Sequence, residues 1–243
     1  MSDIIEGKNP VYEAIKSGRI IHKILISRNK QKDGALIRII RSAHSIKCPC
    51  QYVEEVHLDK ESITKNHQGI IAYAAPQKLT TLKELLSKTK TNEKSLLIIL
   101  DELEDPHNLG AIIRSAEALG ADAIIHPKRR SVKITGTVIK TAQGAQEYIP
   151  VLQINNIISV LNEIKKYSYW VYGLDEDAKD NLNKIEFSSK SVLVIGGEGK
   201  GLSRLVKENC DFLIKIPMFG KIPSLNASVA AAITIYEYSR QKL

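Results

Sequence analysis

The segment Ile216-Pro217-Met218-Phe219-Gly220-Lys221-Ile222-Pro223-Ser224-Leu225-Asn226-Ala227-Ser228-Val229-Ala230 determines how the C-terminal part of the chain folds. It follows an apolar run and contains two prolines and a glycine, so it predicts a strand that ends in a loop. Ser224 and Asn226 are preferred helix N-caps, and the alanine-rich run after them favours a helix. Free N–H groups at such a helix start suit polar or anionic ligands.

A second glycine-bearing loop lies just upstream. Residues 191–195 form a short apolar run that predicts a strand, and Gly196-Gly197-Glu198-Gly199-Lys200-Gly201 follows it. A helix is predicted near residues 202–210. Glycines allow a backbone to approach a ligand without an intervening side chain. Two such loops at strand ends indicate a binding site.

Working back along the chain, strands alternate with helices from residue 95 onward. The run at 96–100 is fully apolar, as in a parallel strand buried on both faces, and a helix is predicted at 111–119 with Asn108 as a possible cap. This alternation predicts an α/β fold with a mostly parallel sheet that binds ligands at the carboxyl ends of its strands. No G-x-G-x-x-G follows the first strand, which counts against an ordinary dinucleotide-binding fold.

The front of the chain predicts a separate, smaller α/β unit. We divide the sequence into residues 1–75, a polar lysine-rich linker at 76–94, and residues 95–243. Residues 1–75 hold 12 Lys and Arg against 8 Asp and Glu, whereas residues 95–243 hold 18 against 17. A basic front suggests that this part grips a polyanion such as RNA. The candidate RNA-binding residues are Arg19, Lys23, Arg28, Arg129 and Arg130.

Composition excludes several protein classes. No apolar run approaches the length of a membrane span, and acidic residues near the start argue against a secretory signal, so we expect a cytoplasmic protein. Three cysteines are too few for a disulfide framework. Cys48-Pro49-Cys50 has no second pair at zinc spacing, so no metal site is expected.

Three motifs in order resemble those of the SpoU/TrmH (SPOUT) family of RNA ribose 2′-O-methyltransferases, which use S-adenosylmethionine. They are Asn108-Leu109-Gly110-Ala111-Ile112-Ile113-Arg114-Ser115-Ala116, the glycine loop at 195–202, and the segment from Ile216 to Ala230. The front is similar to the small RNA substrate-binding domain, itself similar to a ribosomal protein, that many members carry. The resemblance covers essentially the whole chain.

The resemblance implies a C-terminal trefoil knot, which periodicity alone could not have predicted because knots are rare in proteins. It also implies a cofactor site built from the loops at the knot. The cofactor-binding residues implied are Gly196, Gly197, Gly199, Ile216, Pro217, Met218, Ser224, Leu225, Asn226 and Ser228.

The resemblance further nominates Arg114 as the catalytic residue, with Asn108, Glu198 and Asn226 orienting it, the loop and the nucleotide. A guanidinium keeps its proton at neutral pH and is a poor base. We therefore expect Arg114 to hold a phosphate and stabilise the developing oxyanion, and proton abstraction by it stays open. Family members of this type are homodimers that meet through the C-terminal domain.

The two-domain layout is closest to the RlmB branch, which implies a guanosine of bacterial 23S rRNA as the target. One alternative keeps the enzyme class but has tRNA as the substrate. Another is a non-catalytic RNA-binding protein of the same fold, which predicts damage at Arg114 or the C-terminal loops, and none is visible.

Overall fold

The computed structural model describes residues 2–129, 131–199 and 201–242. Its contacts divide the chain into two compact units. The first contains the residues up to Lys78 together with Ile134–Tyr148, and the second contains Leu79–Lys133 and the residues from Ile149. The sequence-based division kept residues 95–243 in one domain, whereas here 134–148 pack with the first unit. The chain therefore passes between the units three times.

The first unit is a four-stranded mixed sheet with helices. Its strands run in the order β1-β4-β2-β3, in which β2 and β3 are parallel and the other two pairs are antiparallel. The elements are β1 Asp3–Glu6, α1 Lys8–Lys16, β2 Ile21–Ser27, α2 Gly34–Ser45, β3 Cys50–Val53, α3 Glu55–Glu61, β4 Ile70–Ala74 and, from later in the chain, α6 Gly136–Thr141. This agrees with the smaller α/β unit that the sequence predicted for the front of the chain.

A buried carboxylate fixes one loop of this unit. Glu6 is 3% exposed and accepts hydrogen bonds from the Ser62 hydroxyl at 2.7 Å, the Thr64 hydroxyl at 2.8 Å and the backbone N–H groups of Ile63 and Thr64 at 2.5 and 3.1 Å. Desolvation raises the pKa of Glu6, but these hydrogen bonds together outweigh it and leave the pKa below its ordinary value of 4.5. The ionised form therefore stabilises the fold.

Glu6→Gln is expected to make the first unit less sensitive to acid. Because the pKa is lower in the folded state, Glu6 contributes stability above its ordinary pKa, and this is lost as pH falls through the folded value. Urea unfolding of wild type and variant at neutral pH and at about pH 4 or below measures the difference. The difference in free energy of unfolding between wild type and variant should decrease as pH falls. A difference that stays constant would contradict a role for the Glu6 charge.

The second unit contains a seven-stranded sheet in which every pair is parallel. The order is β7-β6-β5-β10-β8-β11-β9. The elements are α4 Leu82–Thr89, β5 Ser95–Asp101, α5 Pro106–Ala118, β6 Ala123–Pro127, β7 Val151–Ile154, α7 Ile157–Lys165, β8 Trp170–Leu174, β9 Asp180–Asn181, β10 Lys190–Gly196, α8 Arg204–Asn209, β11 Phe212–Lys215 and α9 Ala227–Gln241. The predicted parallel α/β fold is confirmed.

The central strands explain why the sequence specifies this sheet. Every residue of β5 is buried, and β10 pairs with it along its full length, from Lys190 opposite Ser95 to Gly196 opposite Asp101. Helices cover both faces, which requires the apolar run seen in the sequence. On one face, α9 packs against α5.

Several boundaries differ from the sequence prediction. The helix expected at 111–119 begins five residues earlier, because Asp105 caps it through the His107 N–H and Pro106 occupies its first position. Asn108 is consequently inside the helix and is not its cap. Before β7, residues Ala145–Glu147 form a 3-10 turn.

Within the described ranges, no helix is long and apolar enough to cross a membrane. The same residues contain no cluster of three or more His, Cys, Asp or Glu side chains that could hold a metal ion.

Candidate active site

A cleft of about 850 Å³ opens where β8, β10 and β11 end in the second unit. Parallel strands place all their carboxyl ends on one edge, so the loops that follow them converge there. The lining residues are Leu174, Asp175, Glu176, Asn181, Ile195, Gly196, Gly197, Glu198, Gly199, Gly201, Lys207, Lys215, Ile216, Pro217, Met218, Pro223, Ser224, Leu225, Asn226, Ala227 and Ala230.

The glycine loop after β10 folds back on itself as one wall of the cleft. The Gly201 N–H donates to the Gly197 carbonyl at 3.1 Å. A Cβ on Gly196 would lie 2.2 Å from the carbonyl carbon of Gly201, and one on Gly197 would lie 2.4 Å from the Glu102 carbonyl oxygen. Backbone fills both spaces, so the loop requires glycine at these two positions.

Gly196→Ala is therefore expected to distort this wall and weaken cofactor binding at least about tenfold, because the added methyl meets backbone and not a movable side chain. Gly220→Ala is the matched control. Nothing lies within 4 Å of a Cβ there, and the residue does not have a positive φ. Calorimetric titration with S-adenosylhomocysteine measures the affinity of each variant. Equal affinities in the two variants would contradict this account of the loop.

Three polar side chains from separate motifs meet at one point beside the cleft. The Asn108 amide donates to Glu198 Oε1 at 2.8 Å. The Asn226 amide donates to the same oxygen at 2.7 Å and to Asn108 Oδ1 at 2.9 Å. Two donors on one carboxylate oxygen hold Glu198 in a fixed orientation. The structure thus brings together three of the four residues nominated as catalytic.

The Asn226 side chain both caps a helix and contacts Glu198. Its Oδ1 accepts from the Ser228 N–H at 3.0 Å, the Ser228 hydroxyl at 2.6 Å and the Val229 N–H at 3.4 Å, so it is the N-cap of α9. Its amide nitrogen faces the carboxylate. Ser224 was expected to share the capping role, but it precedes the helix and lines the cleft.

Arg114 lies apart from this cluster. It is on α5, six residues after Asn108, with its side chain exposed, and it does not line the cleft. Within the described part of the chain, its guanidinium has no hydrogen-bond or ion-pair partner. The Asn108 side chain bonds to Glu198 and Asn226 and not to Arg114, so no hydrogen bond from Asn108 orients Arg114 in the single chain.

Of the ten expected cofactor-binding residues, all except Ser228 line the cleft.

Sequence reasoning missed a charged group at the same cleft. Asp175, which follows β8, is buried and forms an ion pair with Lys207 of α8. The hydrogen bond from Lys207 to Asp175 raises the pKa of the lysine. The position of Asp175 directly after a buried strand was the signal that could have identified it.

The candidate RNA-binding residues are not equally available. Arg19 is only 9% exposed and is bound to Asp3, Glu147 and the Ala75 carbonyl, so its role is structural and we remove it from the RNA-binding set. Lys23 and Arg28 are exposed, with Lys23 Nζ 4.4 Å from the Tyr73 ring centre. Arg129 is also exposed, and Arg130 lies outside the described residues.

Comparisons with known protein families match both units. Residues 95–236 match the SpoU rRNA methylase family, and residues 4–80 match the RNA 2′-O ribose methyltransferase substrate-binding family. The Bacillus subtilis protein YacO, assigned to the TrmH family of tRNA/rRNA methyltransferases, is 44% identical over 241 residues. The match covers 99% of this chain and 96% of YacO.

Solved structures share the fold. The SpoU methyltransferase AviRb of Streptomyces viridochromogenes, in complex with AdoMet, has a TM-score of 0.82 at 23% identity and covers 99% of this chain and 90% of its own. The AdoMet-bound rRNA methyltransferase of Sinorhizobium meliloti has a TM-score of 0.78 at 22% identity, covering 100% and 88%. The A. aeolicus TrmH/SpoU tRNA-modifying enzyme has a TM-score of 0.56 at 29% identity, covering 66% and 82%.

The motif residues around Asn108, Glu198 and Asn226 therefore lie within a matched domain, and a matched substrate-binding domain precedes them. The chain belongs to the SpoU/TrmH family of RNA methyltransferases.

Proposed function

We propose that this protein transfers the methyl group of S-adenosylmethionine to a ribose 2′-hydroxyl, on a guanosine of bacterial 23S rRNA. The observation that carries the proposal is the convergence of Asn108, Glu198 and Asn226 beside a cleft walled by glycine and loop backbone. The domain that matches the RNA substrate-binding family would bind the RNA.

The cleft fits a nucleoside cofactor. Its volume of about 850 Å³ lies within the usual range for small-molecule sites, and its walls are mostly apolar side chains and backbone. Backbone groups of Gly196, Ile216 and Leu225 would hold the adenosyl part. When bound, S-adenosylmethionine supplies an electrophilic methyl group on a sulfonium.

The protein's own residues would then orient the reactants. Asn108 and Asn226 fix the Glu198 carboxylate, which keeps the glycine loop and the start of α9 in register with each other. Arg114 would hold the phosphate next to the target ribose and stabilise negative charge as the hydroxyl attacks. Fixed orientation of the reacting groups can supply up to about 7–11 kcal/mol of the barrier reduction.

Coverage of the relatives favours rRNA over tRNA as the substrate. The match to the A. aeolicus tRNA-modifying enzyme covers 66% of this chain, whereas the match to the S. meliloti rRNA methyltransferase covers all of it. Residues 4–80 match the RNA substrate-binding family separately from the methylase match at 95–236. YacO, whose description names both tRNA and rRNA, leaves tRNA as the second candidate.

Labelled methyl transfer tests the substrate. Purified protein is incubated with radiolabelled S-adenosylmethionine and either 23S rRNA or bulk tRNA, and the modified ribose is mapped. Label on one rRNA guanosine is the expected result. Label on tRNA alone would replace the substrate but keep the reaction, and bound cofactor with no transfer to RNA or ribosomal precursors would favour a non-catalytic RNA-binding protein.

We also propose a homodimer through the C-terminal domain. On α9, Val229, Ile233 and Tyr236 are exposed along one helical face. Phe219 and Ile222 of the preceding loop are 97% and 71% exposed. An apolar surface of this kind is typical of a protein interface. It would also let a second chain bring Arg114 to the cleft.

Replacing Ile233 with Glu is expected to convert the dimer to a monomer, because a charge would be buried against the apolar partner face. Light scattering coupled to gel filtration gives the mass. Lys242→Glu, which adds negative charge at the end of the same helix, is the control for charge alone. A dimeric Ile233→Glu variant would exclude this face.

Two further parts of the proposal follow from the family. The C-terminal part of the chain would form a trefoil knot. The strand order supports this expectation, because β10 and β11 each lie in the sheet between two strands that precede them in sequence. The enzyme would work in the cytoplasm, where bacterial rRNA and tRNA are made.

A further inference from the structure

Residues 134–148 lie, by sequence, between β6 and β7 of the methyltransferase sheet and within the stretch that matches the SpoU rRNA methylase family. By packing, they belong to the first unit, where α6 contacts β1 and the 3-10 turn at Ala145–Glu147 contacts α1. The segment is therefore joined to the second unit by the chain at both ends while its side chains are held by the substrate-binding unit.

A buried ion pair anchors the end of this segment. Arg19 Nη1 is 2.7 Å from Glu147 Oε1, and the two side chains are 9% and 3% exposed. The same guanidinium also pairs with Asp3 and donates to the Ala75 carbonyl at 3.0 Å. A charge buried to this extent is held firmly by its partner, because leaving it unpaired would be costly.

Further contacts run along the segment. The Gln77 amide donates to the Gln146 carbonyl at 2.5 Å, and the Tyr148 hydroxyl donates to Glu13 at 2.6 Å. The Asn9 amide donates to Gln143 at 2.7 Å. At Gly144, whose φ is +93°, a Cβ would lie 2.6 Å from the Glu13 side chain, so the backbone is in close contact there.

The residues just before the segment belong to the second unit. There, the Val132 N–H donates to the Leu103 carbonyl at 3.0 Å. Leu103 belongs to the loop after β5. In that loop, the Glu102 carbonyl packs against Gly197 of the glycine wall. Asp101, the last residue of β5, accepts from the Ser203 N–H at 2.8 Å. Within the second unit, contacts therefore run from Val132, two residues before the segment, to the cofactor loop.

We infer that residues 134–148 are a coupling segment, through which RNA bound to the first unit changes the affinity of the cleft for its cofactor. The inference rests on the proposed function. Val132 and Lys133 join the segment to the loop after β5, and packed backbone transmits strain, so a displacement of the segment would reach the residues that pack against Gly197. Thermodynamic linkage requires the reverse effect of cofactor on RNA affinity to be equal.

The experiment uses the full-length protein and measures S-adenosylhomocysteine affinity by calorimetry with and without saturating 23S rRNA transcript. Glu147→Gln removes the charge that pairs with Arg19. Glu163→Gln is the matched control, because it makes the same change in an exposed pair with Lys166 on α7. Hydrogen exchange reports whether 134–148 has loosened and whether β5 stays protected. Asn9→Ala is a milder second variant if Glu147→Gln does not fold.

In wild type and in Glu163→Gln, RNA should change S-adenosylhomocysteine affinity by about fivefold or more, the lower end of typical coupling. Glu147→Gln should exchange faster at 134–148 and lose this RNA effect, while its affinity without RNA stays within about twofold of wild type. If hydrogen exchange at 134–148 became faster while the RNA effect on cofactor affinity stayed the same, the inference would be refuted. It would also be refuted if neither Glu147→Gln nor Asn9→Ala changed hydrogen exchange at 134–148. Wild type that binds RNA with no effect on the cleft would refute it as well. Wild type that does not bind S-adenosylhomocysteine at all would refute the proposed function instead, and the inference with it.

Discussion

Arg114→Ala is expected to reduce methyl transfer by about 10²–10³-fold while leaving cofactor affinity within about twofold of wild type. The separation of the two effects follows from geometry. Arg114 is exposed on α5 and does not line the cleft, so its removal leaves the cofactor walls intact. Single-turnover methylation and calorimetric titration with S-adenosylhomocysteine measure the two quantities.

Arg114→Lys is the conservative control. It keeps the positive charge but loses the planar fork of donors that can grip a phosphate at two oxygens. An intermediate loss of transfer is expected if the guanidinium holds a phosphate. Near-normal turnover in Arg114→Ala would remove this residue from the mechanism.

Mixing two impaired variants, at a cofactor concentration too low for Gly196→Ala to bind it, tells whether Arg114 serves its own cleft or that of a second chain. Arg114→Ala keeps an intact cleft, and Gly196→Ala keeps an intact arginine. If Arg114 acts across a dimer, one of the two sites in each mixed dimer is complete, so an equal mixture should recover about a quarter of wild-type activity. If it acts on its own chain, the mixture stays inactive.

The sequence predicted the parallel sheet because β5 and β10 are apolar along most of their length, and such runs are typical of parallel strands buried on both faces. It also placed Asn226 correctly at the start of α9, since Asn before an alanine-rich run is a strong capping signal. Asn108 was harder, because Asp105-Pro106 upstream is an equally good helix start and in fact begins α5. The meeting of Asn108 with Glu198 depends on tertiary contacts 90 residues apart, and only the family motifs linked them in advance.

Residues 134–148 could not be assigned from the sequence. The segment has ordinary helical and turn patterns, and nothing local distinguishes packing on one unit from packing on the other. The decisive contact joins Glu147 to Arg19, far apart in sequence. For the same reason Arg19 was counted among the RNA-binding residues, since a sequence reveals the presence of an arginine but not its partners.

Asn226→Asp is expected to reduce methyl transfer by about 10²-fold with little loss of stability. The Oδ1 atom that caps α9 is kept, so the helix start should change by no more than about 1 kcal/mol. In the wild type, the Asn226 amide nitrogen lies 2.7 Å from Glu198 Oε1. Aspartate places a carboxylate oxygen at that position, so the donor to Glu198 and Asn108 is lost. Two like charges would meet there, and Glu198 would turn away from its present position.

Two companion variants separate the charge from the cap. Asn226→Ser keeps a capping oxygen without the amide or the charge, so its activity should fall less than that of Asn226→Asp. Asn226→Ala loses the cap as well and should lower the free energy of unfolding by about 1 kcal/mol. Methylation rates and thermal unfolding give the comparison. If Asn226→Asp retained near wild-type turnover, the contact between the Asn226 amide and Glu198 would be a consequence of helix capping with no part in the reaction.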